Sequence, residues 1–176
     1  LVVEYSRLRS MKFLVTGATG FVGGVLARSL RAAGHDVGAV ARTPEKARDL
    51  VSLGIDVHRG DVTDKEWLRA PMRGVDAVYH VAGWYKIGER DTSQAVGINV
   101  DGTRHVLELV EELRIPRAVY TSTLAVNSDT HGRIVDETYR FTGRHLTVYD
   151  QTKADAHHLA ESFIARGVPV IIVQPG

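Results

Sequence analysis

Three observations predict an α/β fold built on a doubly wound parallel sheet. Short β-branched runs alternate with amphipathic stretches of helical period, the pattern of βαβ units whose strands are buried on both faces. There are about six such runs, enough for two mononucleotide-binding halves with helices on both faces of the sheet. A glycine-rich turn stands between the first run and the first helical stretch, where such folds receive a ligand. The expected strands are Lys12 to Thr16, Asp36 to Ala41, Ile55 to Arg59, Ala77 to Val81, Arg117 to Ser122 and Val168 to Gln174.

The first crossover helix is read from Phe21, Val22, Val25, Leu26 and Leu30, with Gly34 as its stop. Thr43 and Pro44 supply a cap and a first-turn proline for a short helix over Glu45 to Leu53, and Asp64 can cap Lys65 to Met72. The longest helix runs from about Ser93 to Arg114 with Val96, Val100, Val106, Val110 and Leu113 on one stripe. The last covers about Tyr149 to Arg166 and stops at Gly167.

The composition suits one such domain. Of 176 residues, 44% are apolar and 24% charged, enough to bury a core at about 100–200 residues per domain. The 17 glycines form no repeat, which excludes collagen-like and low-complexity readings. Lys plus Arg number 22 against 21 Asp plus Glu, too balanced for the basic stripe of a nucleic-acid binder. The lack of cysteine rules out disulfides and thiolate chemistry and fits a reducing cytoplasm, the compartment expected here. The 8 histidines show no metal-ligand spacing, so no metal is expected. No apolar run approaches the ~18 residues of a membrane span, and no membrane association is expected. Residues 1–10 read as an extension outside the fold, since Met11 directly precedes the first strand, and residues 11–176 read as the domain.

The turn Thr16-Gly17-Ala18-Thr19-Gly20-Phe21-Val22-Gly23 carries the first chemical signal. Gly17 allows the tight turn, Gly20 lets backbone approach a pyrophosphate, and Gly23 permits close packing of helix on sheet. This spacing resembles the extended short-chain dehydrogenase/reductase family, the NAD-dependent epimerase/dehydratase superfamily, and the likeness continues from about Met11 to Gly176. The resemblance implies a Rossmann fold and a nicotinamide cofactor that contacts Gly17, Thr19, Gly20, Phe21 and Val22.

Later landmarks are read against that family. Arg42 stands at the end of the second strand, where an NAD-dependent protein would hold the ribose with an acid. A guanidinium fits a 2′-phosphate, so NADP is preferred over NAD, the alternative being a solvated charge at a helix entry. In the family the Asp at position 61 meets the adenine amino group and the N–H of Val62 the ring, although Asp61 also suits an Asx-turn. Val81, Ala82 and Gly83 resemble the segment whose backbone passes the ribose, with Gly83 in place of the commoner Ala. Trp84, Tyr85 and Lys86 are either substrate-pocket lining or packing.

Tyr149 and Lys153 share a helix face at i,i+4 spacing. A phenol titrates near 10, and a neighbouring ammonium would stabilise its phenolate and also hold cofactor ribose hydroxyls. Thr123 aligns with the family's substrate-oriented hydroxyl. Ser122, next to it on an extended chain, points the other way and is assigned to the cofactor, or both hydroxyls serve only backbone groups. The resemblance places Asn99 in the proton relay around the lysine, with a structural hydrogen bond as the alternative. It also places Pro175 where the family chain passes the nicotinamide.

The set Thr123, Tyr149, Lys153 and Asn99 implies hydride transfer between NADP(H) and a carbonyl or secondary alcohol of a small molecule. Leu124 and Ala125 stand where dehydratases of the family carry an Asp-Glu pair, and the run from Val119 to Asn127 is most similar to dihydroflavonol-reductase-like proteins. A nucleotide-sugar epimerase with bound NAD, or a non-catalytic NADP-sensing protein, are the alternatives. The resemblance further implies a homodimer through the long and last helices. Gln174-Pro175-Gly176 looks like the entry to a substrate-binding region, so the chain is expected to be C-terminally truncated, binding NADP(H) weakly and turning over poorly.

Overall fold

The structure, a computed structural model, describes residues 10–85, 90–136 and 138–176. Lys86 and residues 1–9 of the N-terminal extension lie outside the described residues. The elements run β1 (Lys12–Thr16), α1 (Phe21–Ala32), β2 (Asp36–Ala41), a 3-10 turn (Pro44–Ala47), α2 (Arg48–Ser52), β3 (Asp56–Arg59), α3 (Lys65–Met72) and β4 (Ala77–His80). There follow α4 (Gln94–Val96), a π turn (Gly97–Asp101), α5 (Gly102–Glu112), β5 (Ala118–Thr121), a 3-10 turn (Leu124–Asn127), α6 (Val148–Ala165) and β6 (Val170–Val173).

The six strands form one sheet in the order β3-β2-β1-β4-β5-β6, and every pairing is parallel. Chain order reverses between β1 and β4, which pair from Phe13 with Ala77 to Thr16 with His80. That reversal opens a crevice at the carboxyl ends of the strands.

Adjacent residues of β1 point to opposite faces, and each face has its own core. Leu14 joins Val78, Tyr120, Leu107 and Phe163 in the layer covered by α3, α5 and α6. Val15 joins Ala39, Ala27 and Leu50 in the layer covered by α1 and α2. Each fully buried leucine contributes roughly 1.5–3 kcal/mol. Helices on both faces explain why the strands read as continuous apolar runs.

Several local expectations change. The strands of the second half, Ala77–His80, Ala118–Thr121 and Val170–Val173, are shorter than the apolar runs that predict them. Asp64 caps α3 as expected, its carboxylate accepting from Glu66 N. Thr43 makes no side-chain cap bond, and the stretch it opens divides into a 3-10 turn and the short α2. The cap of α6 is Thr147, whose hydroxyl oxygen accepts from Asp150 N at 3.0 Å. The long helix is interrupted by its π turn, and Val96 of the expected stripe is exposed while Val106 and Val110 are buried.

Candidate active site

The glycine turn is held by backbone contacts that admit no side chain. Gly17 has φ +74°, and a Cβ there would lie 2.6 Å from Ala82 N. A Cβ at Gly23 would lie 2.3 Å from Gly17 O. Gly23 thus lets α1 close on the turn itself, which refines the helix-on-sheet role expected for it. Gly20 precedes α1 in an extended conformation, and the first turn of the helix carries no acidic residue. The open N–H groups there, with the helix dipole behind them, suit an anion.

A cleft of about 630 Å³ begins at this turn and crosses the switch point to α6. Thr19, Phe21 and Val22 line it on one side and Val81, Ala82 and Gly83 on the other. Ala82 N donates to Thr16 Oγ1 at 3.3 Å, tying the strand ends together. A Cβ at Gly83 would meet only Asn99 Oδ1, at 3.5 Å, so the family's commoner alanine fits here.

Arg42 is exposed at the cleft wall and among the described residues has no ion-pair partner. Asp61 and Val62 also line the cleft. The Asp61 carboxylate accepts from Thr63 N and Thr63 Oγ1, both at 3.0 Å, so the Asx-turn reading holds together with a place at the site. Trp84 is buried and Tyr85 exposed; both line the cleft, and the Tyr85 ring meets the Tyr149 ring edge-on with centroids 4.8 Å apart.

Tyr149 and Lys153 stand at the far end of the cleft. Burial raises the Tyr149 pKa, and a hydrogen bond from the Thr123 hydroxyl opposes that, while Tyr85 and Asp150 add to the rise. The phenol is therefore protonated near neutrality. Lys153 does not serve as its direct partner: its ammonium donates to Tyr120 OH at 3.1 Å and to Thr121 O at 2.8 Å, and sits 4.7 Å from the Tyr120 ring centre. Burial lowers its pKa to about 8.

The other expected site residues divide. Thr123 reaches Tyr149, and its oxygen also accepts from Ala125 N at 3.2 Å. Ser122 faces away from the cleft and bonds His157 Nδ1 at 2.9 Å, so its cofactor assignment is corrected; Thr121, one residue back, lines the cleft instead. Strand alternation carries that signal, since Thr121 and Thr123 share a side. Asn99 is buried among other partners: Oδ1 accepts from Trp84 N at 2.7 Å, and Nδ2 donates to Trp84 O at 3.2 Å and to Thr152 Oγ1 at 2.9 Å. None of these bonds reaches Lys153, so the structural alternative describes it. Pro175 is not among the cleft residues; its carbonyl accepts from Leu124 N at 3.2 Å.

Beneath the cleft His80 bridges β1 and α5. Thr103 Oγ1 donates to Asn99 O at 2.6 Å and so accepts from His80 Nε2 at 3.1 Å, which leaves Nδ1 to accept from the Thr16 hydroxyl at 2.8 Å. Burial, with Lys153 nearby, lowers the His80 pKa to about 3. The ring is neutral at any working pH. Among the described residues no group of side chains could hold a metal ion, and no helix is long and apolar enough to cross a membrane.

A parallel sheet in this order, with a glycine turn at its switch point, defines a dinucleotide-binding α/β protein. The model of the NAD dependent epimerase/dehydratase family matches residues 13–176, and the chain belongs to that family. A Synechocystis protein named after dihydroflavonol 4-reductase is 35% identical over 165 residues, covering 93% of this chain and 48% of the relative. The 2-alkyl-3-oxoalkanoate reductase of Shewanella oneidensis is 34% identical over 149 residues, covering 82% of this chain and 37% of the relative. The crystal structure of gox2253 superposes with a TM-score of 0.83 at 30% identity, covering 94% of this chain and 51% of that one. The chain spans half or less of the length of the curated relatives compared.

Proposed function

We propose that this chain carries the cofactor site and the acid-base residues of an NADP(H)-dependent reductase that acts on the carbonyl of a small molecule. The observation that carries the reading is the Tyr149 phenol at the end of the cleft, with Lys153 one helical turn away on the same cleft wall. The glycine turn, the open first turn of α1 and the cleft volume fit a dinucleotide.

A reduced nicotinamide supplies hydride. Tyr149 donates its phenolic proton to the oxygen that becomes an alkoxide, and the Thr123 hydroxyl orients that oxygen by hydrogen bonding. Lys153 brings positive charge to the cleft wall, and its lowered pKa lets it exchange protons near neutrality. The names of the two reductase relatives support carbonyl chemistry. Arg42, at the cleft wall with no ion-pair partner among the described residues, supports NADP by its fit to a 2′-phosphate.

Tyr149→Phe in the natural-length protein tests this. Carbonyl-dependent oxidation of NADPH is expected to fall by roughly two orders of magnitude or more, with NADPH affinity within a few-fold of wild type. Unchanged turnover would remove Tyr149 from its role. Equal affinity for NADH and NADPH would refute the role of Arg42, and NAD that stays bound through purification would favour an epimerase.

A further inference from the structure

We infer that Tyr85 is a positioning residue for Tyr149: its ring, fixed by a hydrogen-bonded frame through Asn99 and Thr152, sets where the phenol stands at the end of the cleft. The inference rests on the reductase reading above. A general acid works only when its oxygen lies within hydrogen-bond reach of the oxygen it protonates, and an error of about 1 Å can cost roughly two orders of magnitude in rate. Tyr149 is half-buried and stands outside both apolar cores. Core packing therefore does not fix its ring.

Another ring does meet it. The Tyr85 and Tyr149 rings cross at 68° with centroids 4.8 Å apart, within the edge-to-face range in which aromatic pairs attract. Tyr85 is itself 63% exposed, too open for the core to hold it, so its place is set by the residue before it. Trp84 is buried, and the Asn99 carboxamide takes both of its backbone polar groups, N at 2.7 Å and O at 3.2 Å. Trp84 O belongs to the peptide that carries Tyr85. The same Asn99 Nδ2 donates to Thr152 Oγ1 at 2.9 Å.

Thr152 closes the frame on the peptide of Tyr149. Its hydroxyl hydrogen lies between Val148 O at 2.9 Å and Tyr149 O at 3.1 Å, which leaves the hydroxyl oxygen to accept from Asn99. One unbroken set of bonds thus runs from Trp84 O through Asn99 and Thr152 to Tyr149 O, and the two rings meet in front of it.

This arrangement is costly unless it serves placement. A threonine that bonds back to the preceding turn slightly weakens its own helix, and a buried carboxamide is tolerated only when its hydrogen bonds are made. Here both groups are satisfied by each other and by the two backbone segments that carry the rings, the kind of support that holds a reacting group to a fraction of an ångström. Asn99 and Thr152 act through backbone, and Tyr85 acts through the Tyr149 ring.

The test uses the natural-length protein. Tyr85→Leu removes the ring from an exposed position, and Thr152→Val removes the hydroxyl while keeping the branched shape. Each is expected to lower kcat for carbonyl reduction by roughly fivefold or more with the carbonyl KM and the NADPH affinity within about twofold, the split that marks an interaction felt only in the transition state. The conservative variants Tyr85→Phe and Thr152→Ser are expected to recover most of the loss. A Tyr85→Leu enzyme with wild-type kcat overturns the inference whatever its KM, since a raised KM alone marks Tyr85 as a substrate contact. A wild type that oxidises no NADPH with any carbonyl sinks the reductase reading instead. The frame is then judged by nuclear magnetic resonance of the cofactor-free protein: Thr152→Val must shift the ring resonances of both Tyr85 and Tyr149, and Thr152→Ser must shift them less. Ring resonances unmoved by Thr152→Val overturn it.

Discussion

Asn99 grips Trp84 by both of its backbone polar groups, accepting from N at 2.7 Å and donating to O at 3.2 Å. The bond pair fixes the loop after β4 against the long helix, and the third bond, to Thr152, joins that loop to α6. Trp84 and Tyr85 are thereby held at the cleft wall. Asn99→Ala leaves buried backbone groups of Trp84 unpaired and is expected to cost roughly 2–4 kcal/mol. Chemical denaturation checks this, and Asn99→Asp is expected to fall in the same range because a carboxylate cannot donate to Trp84 O.

Two glycines of the cleft are expected to answer oppositely to the same substitution. Gly17→Ala adds a methyl 2.6 Å from Ala82 N at a left-handed φ, which costs at least about 1 kcal/mol before any clash. Gly83→Ala finds ordinary contact at 3.5 Å and is expected to stay within about 0.5 kcal/mol of wild type. Thermal melts with and without NADPH will show the first variant losing both stability and binding, and the second neither.

His80 ties stability to acid pH. Its folded pKa of about 3 lies below the ordinary 6.5 because the ring is buried, so between those values the unfolded chain binds a proton that the folded one does not. Stability from this group is full above pH 6.5 and is lost as pH falls toward 3, at up to about 1.4 kcal/mol per pH unit. Denaturation series at stepped pH will show a flatter acid limb for His80→Asn.

Lys153 works on the alkaline side with the same sign. Its folded pKa of about 8 against 10.5 means that near neutrality the fold bears the cost of a buried ammonium, on the order of 3 kcal/mol. That cost is relieved as pH rises through the interval between the two values, so stability from this group increases with pH. Lys153→Met removes the rise. The Lys153 side-chain resonance of the cofactor-free protein should move with a midpoint near 8.

Strand positions and the glycine turn were legible because both depend on local chemistry: β-branched runs buried on two faces, and a turn that only glycine can take. Tyr149 and Lys153 both line one end of the cleft, as their i,i+4 spacing on one helix face allows. What the sequence did not carry is where a polar atom finds its partner across elements. Asn99 bonds a loop fifteen positions away, Lys153 turns to a tyrosine on β5, and Ser122 turns to a histidine. Each depends on how separate elements pack against one another, which no spacing along the chain encodes. Thr43 and Thr147 show the same limit at helix starts, because both are good caps and only one is aimed at a free N–H.

The π turn over Gly97–Asp101 has a consequence for chain length. A π turn closes i to i+5 and so holds one residue more than the α turn it replaces, offsetting the two arms of the helix by about 100° in phase. That offset lets Asn99 face Trp84 while Val106 and Val110 face the sheet. Removal of one residue between positions 97 and 101 would restore an unbroken α-helix and swing one arm about a quarter turn, exchanging Asn99 for an apolar neighbour at the loop. The segment therefore counts residues, and tolerates substitution far better than deletion.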